Sequence, residues 1–186
     1  MSIEDIKNRN FQSQLNFEFR VDRLSDFNFF VQKVNIPTLS MAAADGGGTP
    51  LSNIPWPGDR MTFGELSVEF KVSEGIRNWY EIFSWMQGIT FPEKQAQFGA
   101  LRRGELKNLD GEKRKHVPAR ANGDIYGQGL MFLNSSANNP LALITFVDLY
   151  PISLSEAVFN TVDADVTHVT STVNFKYDYF TVEKIG

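Results

Sequence analysis

The fold class is decided by the stretch Glu65-Leu66-Ser67-Val68-Glu69-Phe70-Lys71-Val72, in which polar and apolar side chains alternate without a break. Successive side chains of an extended strand point to opposite faces, so this alternation predicts a strand with one buried and one solvated face. The apolar residues that follow are three or four positions apart, which is typical of an amphipathic helix. They are Ile76, Trp79, Tyr80, Phe83 and Met86.

The expected ends of this helix follow from the residues that flank it. Ser73 has a hydroxyl that can cap free N–H groups, and Glu74 has a negative charge suited to the positive end of a helix. Gly88 is a residue type that often ends helices, because it adopts left-handed backbone conformations without strain. We therefore predict a helix of about four turns between Ser73 and Gly88.

The same period-two alternation recurs near both ends of the chain. It runs through residues 15–22 and through residues 169–179, where it ends six or seven residues before the terminus. This order of elements predicts a mainly β fold, an antiparallel β-sandwich or barrel with one packed α-helix. Further strands are predicted at residues 29–35, 38–43 and 130–133, and two short ones within residues 141–154.

Length and composition favour one globular domain. A chain of 186 residues, of which 42% are hydrophobic, is long enough to bury a core, so we assign residues 1–186 to a single domain. There is no cysteine, which excludes disulfides and thiol chemistry. No apolar run approaches the roughly 18 residues of a membrane span, and the amino-terminal segment lacks the apolar core of a secretory signal. We therefore expect cytosolic synthesis and no membrane contact.

Charge is distributed unevenly along the chain. Residues 93–120 contain eight basic and four acidic residues, a net charge of +4, whereas the whole chain has −4, so the rest carries −8. This stretch has few aliphatic residues, and we predict an exposed basic insertion at residues 93–126. A protein contact fits it better than nucleic-acid binding, because no recognised motif accompanies the charges. The candidate contact residues are Arg102, Arg103, Lys113, Arg114 and Lys115.

The sequence offers little for catalysis or cofactor binding. His116 and His168 are the only histidines, and no metal-ligand spacing surrounds either of them. The nucleophile pattern Gly-x-Ser-x-Gly is absent, and the glycine triplet at residues 46–48 is not followed by the Gly-Lys-Ser/Thr of a phosphate-binding loop. We therefore predict no catalytic residue, no metal, no cofactor and no enzymatic function.

Residues 45–58 are rich in glycine and proline and lack core periodicity, so they predict a long loop or an extended hairpin. Trp56 lies there between two prolines. A rigid, exposed indole is costly to leave in water and is typical of an anchor pressed into a partner. The candidate residues for this contact are Gly46, Gly47, Gly48, Trp56 and Pro57.

Two parts of the chain resemble the tail tube proteins of contractile-tailed bacteriophages. The first is the run Gly58-Asp59-Arg60-Met61-Thr62-Phe63-Gly64-Glu65-Leu66-Ser67-Val68-Glu69-Phe70, followed by the helix from Trp79 to Trp85 that ends at Met86-Gln87. The second is Leu149-Tyr150-Pro151-Ile152-Ser153-Leu154-Ser155, then Phe159 and residues 170–179. This second part is also similar to the related tube initiator at the baseplate.

The resemblance implies a structural virion protein. In that family six copies close into a hexameric ring whose strands form a continuous barrel around a channel for DNA ejection. The implied partners are like or related rings and the sheath, tape measure and baseplate proteins, and DNA passes through without specific binding. The loop that reaches the next ring maps onto residues 45–57. The implied location is the phage tail, assembled in the host cytoplasm.

Three acidic residues on polar strand faces, Glu18, Glu65 and Glu69, are the candidates for facing the channel, where they would repel DNA phosphates. The basic insertion is longer than in a plain tube subunit, so a baseplate-proximal tube initiator or another ring at a tube end is the alternative within this class. A small-molecule-binding β-barrel is the alternative from another class, because an aromatic-rich barrel with one helix also describes carriers.

Overall fold

The computed structural model describes residues 11–49, 52–107, 109–111, 125–161 and 168–185. Within these ranges the chain forms nine strands, two α-helices and two short 3-10 turns at Phe27–Phe30 and Glu74–Ile76. The strands are β1 (Phe17–Val21), β2 (Val31–Val34), β3 (Leu39–Thr49), β4 (Ser52–Phe63), β5 (Leu66–Lys71), β6 (Gly127–Asn134), β7 (Pro140–Leu154), β8 (Thr170–Lys176) and β9 (Tyr179–Lys184). The helices are α1 (Arg77–Thr90) and α2 (Ala96–Arg102).

Seven of the described strands form one antiparallel sheet in the order β1-β6-β7-β8-β5-β2, in which β9 also pairs with β7. The first part of β7 pairs with β6 and β9, and its last residues pair with β8. Asp148 lies between these two parts of β7, and its φ is 54°. Beside it, the chain turns at residues 177 and 178, between the end of β8 and the start of β9. The sheet therefore bends around the core, and the two strands expected within residues 141–154 are one bent strand.

The core is filled by aromatic rings that meet edge to face. Phe27 contacts Phe70 at 4.9 Å and Phe175 at 6.5 Å between ring centroids. The inward residues of β5 and β8 are buried as the alternation predicts. The mainly antiparallel β fold is thus confirmed. The fully buried aromatic residues are Phe19, Phe27, Phe70, Trp85, Phe146 and Phe175.

The face of α1 that enters the core is not the predicted apolar stripe. Ile76 is 36% exposed and Phe83 is 39% exposed, although both belong to that stripe. Polar residues take the buried positions because their hydrogen bonds are satisfied there: the Nδ2 of Asn78 donates to the carbonyl of Lys71 at 2.7 Å. The buried residues of α1 are Asn78, Glu81, Ile82, Ser84, Trp85 and Gly88.

Glu81 connects α1 to the segment between β1 and β2. Its side chain is 2% exposed and accepts hydrogen bonds from the Ser25 Oγ at 2.9 Å, the Asp26 N–H at 3.1 Å and the Phe27 N–H at 3.2 Å. A buried carboxylate is stable only when such donors replace water. Glu81 therefore fixes the 3-10 turn at Phe27–Phe30 against the helix, a role that its sequence position did not predict.

The ends of α1 differ from the predicted ones. Ser73 and Glu74 begin a 3-10 turn, and α1 itself begins at Arg77. Gly88 does not end the helix, which continues to Thr90. A Cβ at Gly88 would lie only 2.9 Å from the Cβ of Leu101, so this glycine provides the space in which α2 packs against α1.

Two further expectations are corrected by the structure. The predicted exposed insertion at residues 93–126 contains α2, whose Leu101 is buried together with Leu106, because these apolar side chains pack against α1. Residues 112–124 of the insertion lie outside the described part of the chain. The last predicted strand does not end near residue 179, because the chain turns a corner there and continues as β9 to Lys184.

We predict that Gly88→Ala destabilises the fold by about 1–3 kcal/mol, because the added methyl group forces α1 and α2 apart. Thermal or urea denaturation of the monomer measures the loss. The matched control is Gly99→Ala in α2, where a Cβ would meet only the flexible end of Arg103 and alanine favours the helix by about 0.5–1 kcal/mol. Equal stability of the two variants would contradict the packing role of Gly88.

Tyr177 predicts a dependence of stability on alkaline pH. Burial raises the pKa of its phenol above the ordinary value of 10.0, and its hydroxyl has no hydrogen-bond partner among the described residues. The folded chain thus favours the neutral phenol, and this contribution to stability is present below pH 10 and is lost as the pH rises through the folded-state pKa.

We therefore expect Tyr177→Phe to leave the melting temperature at pH 7 unchanged or slightly higher, and to reduce its fall above about pH 10. Melting curves followed by circular dichroism between pH 7 and 11 test this. Tyr179→Phe is the control, since that ring is 46% exposed. If Tyr177→Phe and wild type lost stability equally at high pH, the burial argument would be wrong.

Candidate assembly surfaces

The hairpin of β3 and β4, here called the arm, forms a two-stranded sheet separate from the seven-stranded one. The arm is fixed at its base, where the ring of Phe63 contacts the rings of Tyr177 at 6.0 Å and Phe180 at 5.7 Å. There too, the N–H of Gly64 donates to the carbonyl of Thr38 at 2.8 Å. Of the two structures expected for residues 45–58, the extended hairpin is thus the one observed.

Most of the large apolar side chains of the arm lie in water. Trp56 is 62% exposed, and only three residues of β3 and β4 have charged side chains. An isolated two-stranded hairpin is marginally stable, and exposed apolar clusters mark interaction sites. The arm therefore has the character of a segment that another surface covers. Its exposed apolar residues are Leu39, Met41, Ile54, Trp56 and Met61.

The residues predicted to make the partner contact come together in the arm. Gly46, Gly47 and Gly48 lie in β3, and Trp56 and Pro57 lie in β4. A Cβ built on Gly46 would overlap the indole of Trp56, so Gly46 provides room for the indole to lie across the opposite strand. The contact of these residues with another ring stays a prediction.

The basic candidates are only partly described. Arg102 ends α2 with its guanidinium 5.8 Å from the centroid of the Phe98 ring, and the Nε of Arg103 donates to a carboxylate oxygen of Glu105 at 2.9 Å. Lys113, Arg114 and Lys115 lie outside the described residues. The partner-contact role of this cluster therefore stays a prediction.

The three channel candidates lie on polar surfaces, each beside a basic residue. The Nε of Arg20 donates to Glu18 at 2.6 Å, and the Nζ of Lys176 is 3.4 Å from Glu65. Lys33 is opposite Glu69 in the register of β2 and β5. The described polar face is therefore mixed in charge, and a channel position for these acids stays a prediction.

Three other kinds of candidate site remain: a ligand-binding cleft, a metal site and the two histidines. A surface cleft of about 750 Å³ is lined by residues that include Asp26, Phe29 and Glu74, and by the ion pair of Arg77 with Asp110 at 3.1 Å. It lies outside the core, which is a cluster of buried aromatic and aliphatic side chains. The described residues contain no group of three side chains suited to a metal. His168 is exposed, and His116 lies outside the described residues.

None of the helices in the described ranges has the length and apolar character needed to cross a membrane.

Comparison with known proteins identifies the type of fold. The tail tube terminator protein of Enterobacteria phage T4 is 26% identical over 164 residues, which are 87% of this chain and 81% of that protein. The sheath/tube terminator of an extracellular contractile injection system, PVC, superposes with a TM-score of 0.58 at 13% identity, over 95% of this chain and 99% of that chain. The tube-terminating cap of the anti-feeding prophage gives 0.56 at 13% identity over 100% of both chains.

The chain has the tail tube fold of contractile systems. The resemblance found in the sequence is thereby confirmed at the level of the fold. No protein-family model matches the chain. All three of the similar proteins named above are described as ending a tube.

For the arm of this tail tube fold, we predict that Trp56→Ala leaves the subunit folded but weakens its assembly. The exposed indole contributes little to the core, and removing an interface aromatic anchor costs about 2 kcal/mol, or about 30-fold in affinity. Sedimentation velocity at several concentrations measures assembly, and thermal denaturation measures the fold.

The control for this variant is Phe159→Ala, which removes an aromatic ring that is 70% exposed and lies outside the arm. If Trp56→Ala assembled at the same concentrations as the Phe159→Ala control, the indole would not be an anchor.

Proposed function

We propose that this chain is a tube-terminating protein of a contractile tail, several copies of which form a ring at the end of the tail tube. The observation that carries the proposal is the arm, a separate two-stranded sheet whose large apolar side chains are mostly more than half exposed. A single subunit with such an arm is incomplete, because water is a poor environment for an apolar two-stranded ribbon. The similarity to three tube-ending proteins supports the place of the ring.

The bent sheet supports a ring rather than a pair. Its strands do not close on themselves in the described residues, so strand edges face outward at both ends of the strand order. A contact between two different edges is heterologous, and repetition of such a contact closes into a ring when the rotation allows it. We propose six copies, from the family resemblance, with the polar outer face of the sheet toward a channel through which DNA passes.

A position at the tube end explains how growth stops. Identical rings that stack head to tail can continue without limit, because each new ring presents the same free surface. A ring that ends a tube must bind the last tube ring through one face and must not offer the same face again. We propose that exposed side chains of the arm, Trp56 among them, supply this contact with the last tube ring, and that the ring also contacts sheath and neighbouring tail proteins in the virion.

Electron microscopy of the purified protein tests this function. We expect separate rings of uniform diameter in negative stain, and no long tubes. When tubes of the tube protein from the same tail are added, the rings are expected at tube ends only. Trp56→Ala serves as the control with weakened binding, because we expect it to keep the fold.

Two other results would lead to different conclusions. Long tubes formed by this protein alone would indicate the repeated tube subunit. A monomer of 21.0 kDa at all concentrations, with no binding to tubes, would overturn the ring proposal. Saturable binding of an apolar dye by that monomer would instead favour the carrier.

A further inference from the structure

The two outer edges of the arm differ in what they can bind. Pro55 is opposite Asp45, and Pro57 is opposite Ala43, in the register of β3 and β4. Opposed pairs of an antiparallel ladder alternate between hydrogen-bonded and non-hydrogen-bonded kinds, and a proline has no N–H to donate. These two pairs are therefore non-hydrogen-bonded, and the backbone N–H and C=O groups of their residues face away from the partner strand.

This alternation blocks one edge and leaves the other open. On the outer edge of β4, the positions of Pro55 and Pro57 lack the N–H donors that another strand would need. On the outer edge of β3, Ala43 and Asp45 present both N–H and C=O groups outward. Prolines, charges and bulges commonly protect edge strands, and here the prolines protect only β4.

The seven-stranded sheet has an open edge at β9, a strand of six residues. The N–H of Ile185 donates to the carbonyl of Leu141 at 3.0 Å, so by alternation Phe180, Val182 and Lys184 present their backbone groups away from β7. Within the described residues no strand pairs with this side of β9. β5 covers the neighbouring β8, but the chain before β5 departs to form the arm and leaves β9 uncovered.

The other outer edges of this sheet are less suitable. On β1, the outward backbone groups of Val21 are already hydrogen-bonded to the side chain of Asn28. The N–H of Val21 donates to the Oδ1 of Asn28 at 2.8 Å, and the C=O of Val21 accepts from the Nδ2 of Asn28 at 3.2 Å. β2 has only four residues, with a shift of register between Val31 and Lys33. Short and bulged edges resist the addition of a strand.

We propose that the outer edge of β3 in one copy pairs with the outer edge of β9 in the neighbouring copy, so that the arm extends the neighbour's sheet by a β-hairpin. This inference rests on the ring of the proposed function and specifies its subunit contact. The arm does not pair with β9 of its own chain, because its base lies beside Phe180 of that strand and the arm leaves the body there.

The reach of the arm and its side chains fit a second copy. β3 has 11 residues, which span about 36 Å at 3.3 Å per residue, more than the radius of gyration of ~16 Å expected for a chain of this length. β3 has small side chains at three successive positions, Ala42, Ala43 and Ala44, which leave room for a neighbouring strand. β9 instead contributes larger side chains, with Tyr179 at 46% and Val182 at 62% exposure. The side chains of Tyr179 and Val182 would be partly buried against the alanines of β3.

The absence of cysteine from the chain makes a direct test possible. Adjacent strands bring pairs of residues within disulfide distance, so we place one cysteine on β3 and one on β9. The variants combine Ala43→Cys with Phe180→Cys, Val182→Cys or Lys184→Cys to sample the register. Under mild oxidation we expect at least one combination to give a ladder of covalent oligomers on a denaturing gel.

The control is Pro57→Cys with the same three β9 variants, because residue 57 is opposite residue 43 but lies on the blocked side of the arm. Ladders from the Pro57 series and none from the Ala43 series would overturn the proposal. Equal ladders from both series would also overturn it, because they would indicate contact without a preferred edge.

A second measurement examines the backbone donor itself. Ala43→Pro removes an outward N–H without touching the ladder of the arm, and Ala43→Thr keeps that N–H and adds comparable bulk. We expect Ala43→Pro to raise the concentration needed for ring formation at least tenfold, and Ala43→Thr to leave it nearly unchanged. Val182→Pro and Val182→Thr repeat the comparison on β9, in case the arm of Ala43→Pro is misfolded.

The outcomes separate this inference from the proposed function. If the wild type forms rings and neither proline variant differs from its threonine control, the edge pairing is wrong while the ring stands. If the wild type forms no rings and no cross-linked ladder appears, both the ring and the edge pairing are wrong.

Discussion

Four aromatic rings at the bend of the sheet hold the parts of the molecule in their relative positions. Phe146 of β7, Tyr177 at the corner, Phe180 of β9 and Phe63 of the arm contact one another with centroid distances between 5.1 and 6.2 Å. Such contacts are each worth about 0.5–1.5 kcal/mol beyond area burial. The corner of the sheet and the direction of the arm therefore depend on the same cluster.

The strands of the core were predictable because local alternation and tertiary burial agree there. In Leu66, Val68 and Phe70 the apolar period is also the buried face. The helix was harder, since its position in the chain was correct but its orientation was not. Asn78 turns inward because the carbonyl of Lys71, just before the helix, accepts its hydrogen bond. Glu81 turns inward because backbone groups far along the chain donate to it, and a single sequence does not reveal such partners. Gly88 was misread for the same reason: its meaning depends on Leu101 of α2.

The exposure of the arm was predictable from the sequence, but its geometry was not. The isolation of Trp56 between Pro55 and Pro57 predicted an exposed anchor, and the structure puts that indole on an extended arm. The two prolines block one edge of the arm and leave the other open. This could be recognised only from the register of β3 and β4, which the structure provides. Arg20 lies beside Glu18 as the period-two alternation of their strand implies. Lys176, the basic neighbour of Glu65, lies on the distant strand β8, and no local pattern predicts it.

β7 also affects how the subunit resists an applied force. One continuous strand of 15 residues passes through both parts of the bent sheet, with partners on either side. A pull along this strand would load many ladder hydrogen bonds at once, in shear, rather than opening them one after another. The subunit should therefore be stiff along that direction, and a force applied along β7 should deform it less than a force applied across its strands.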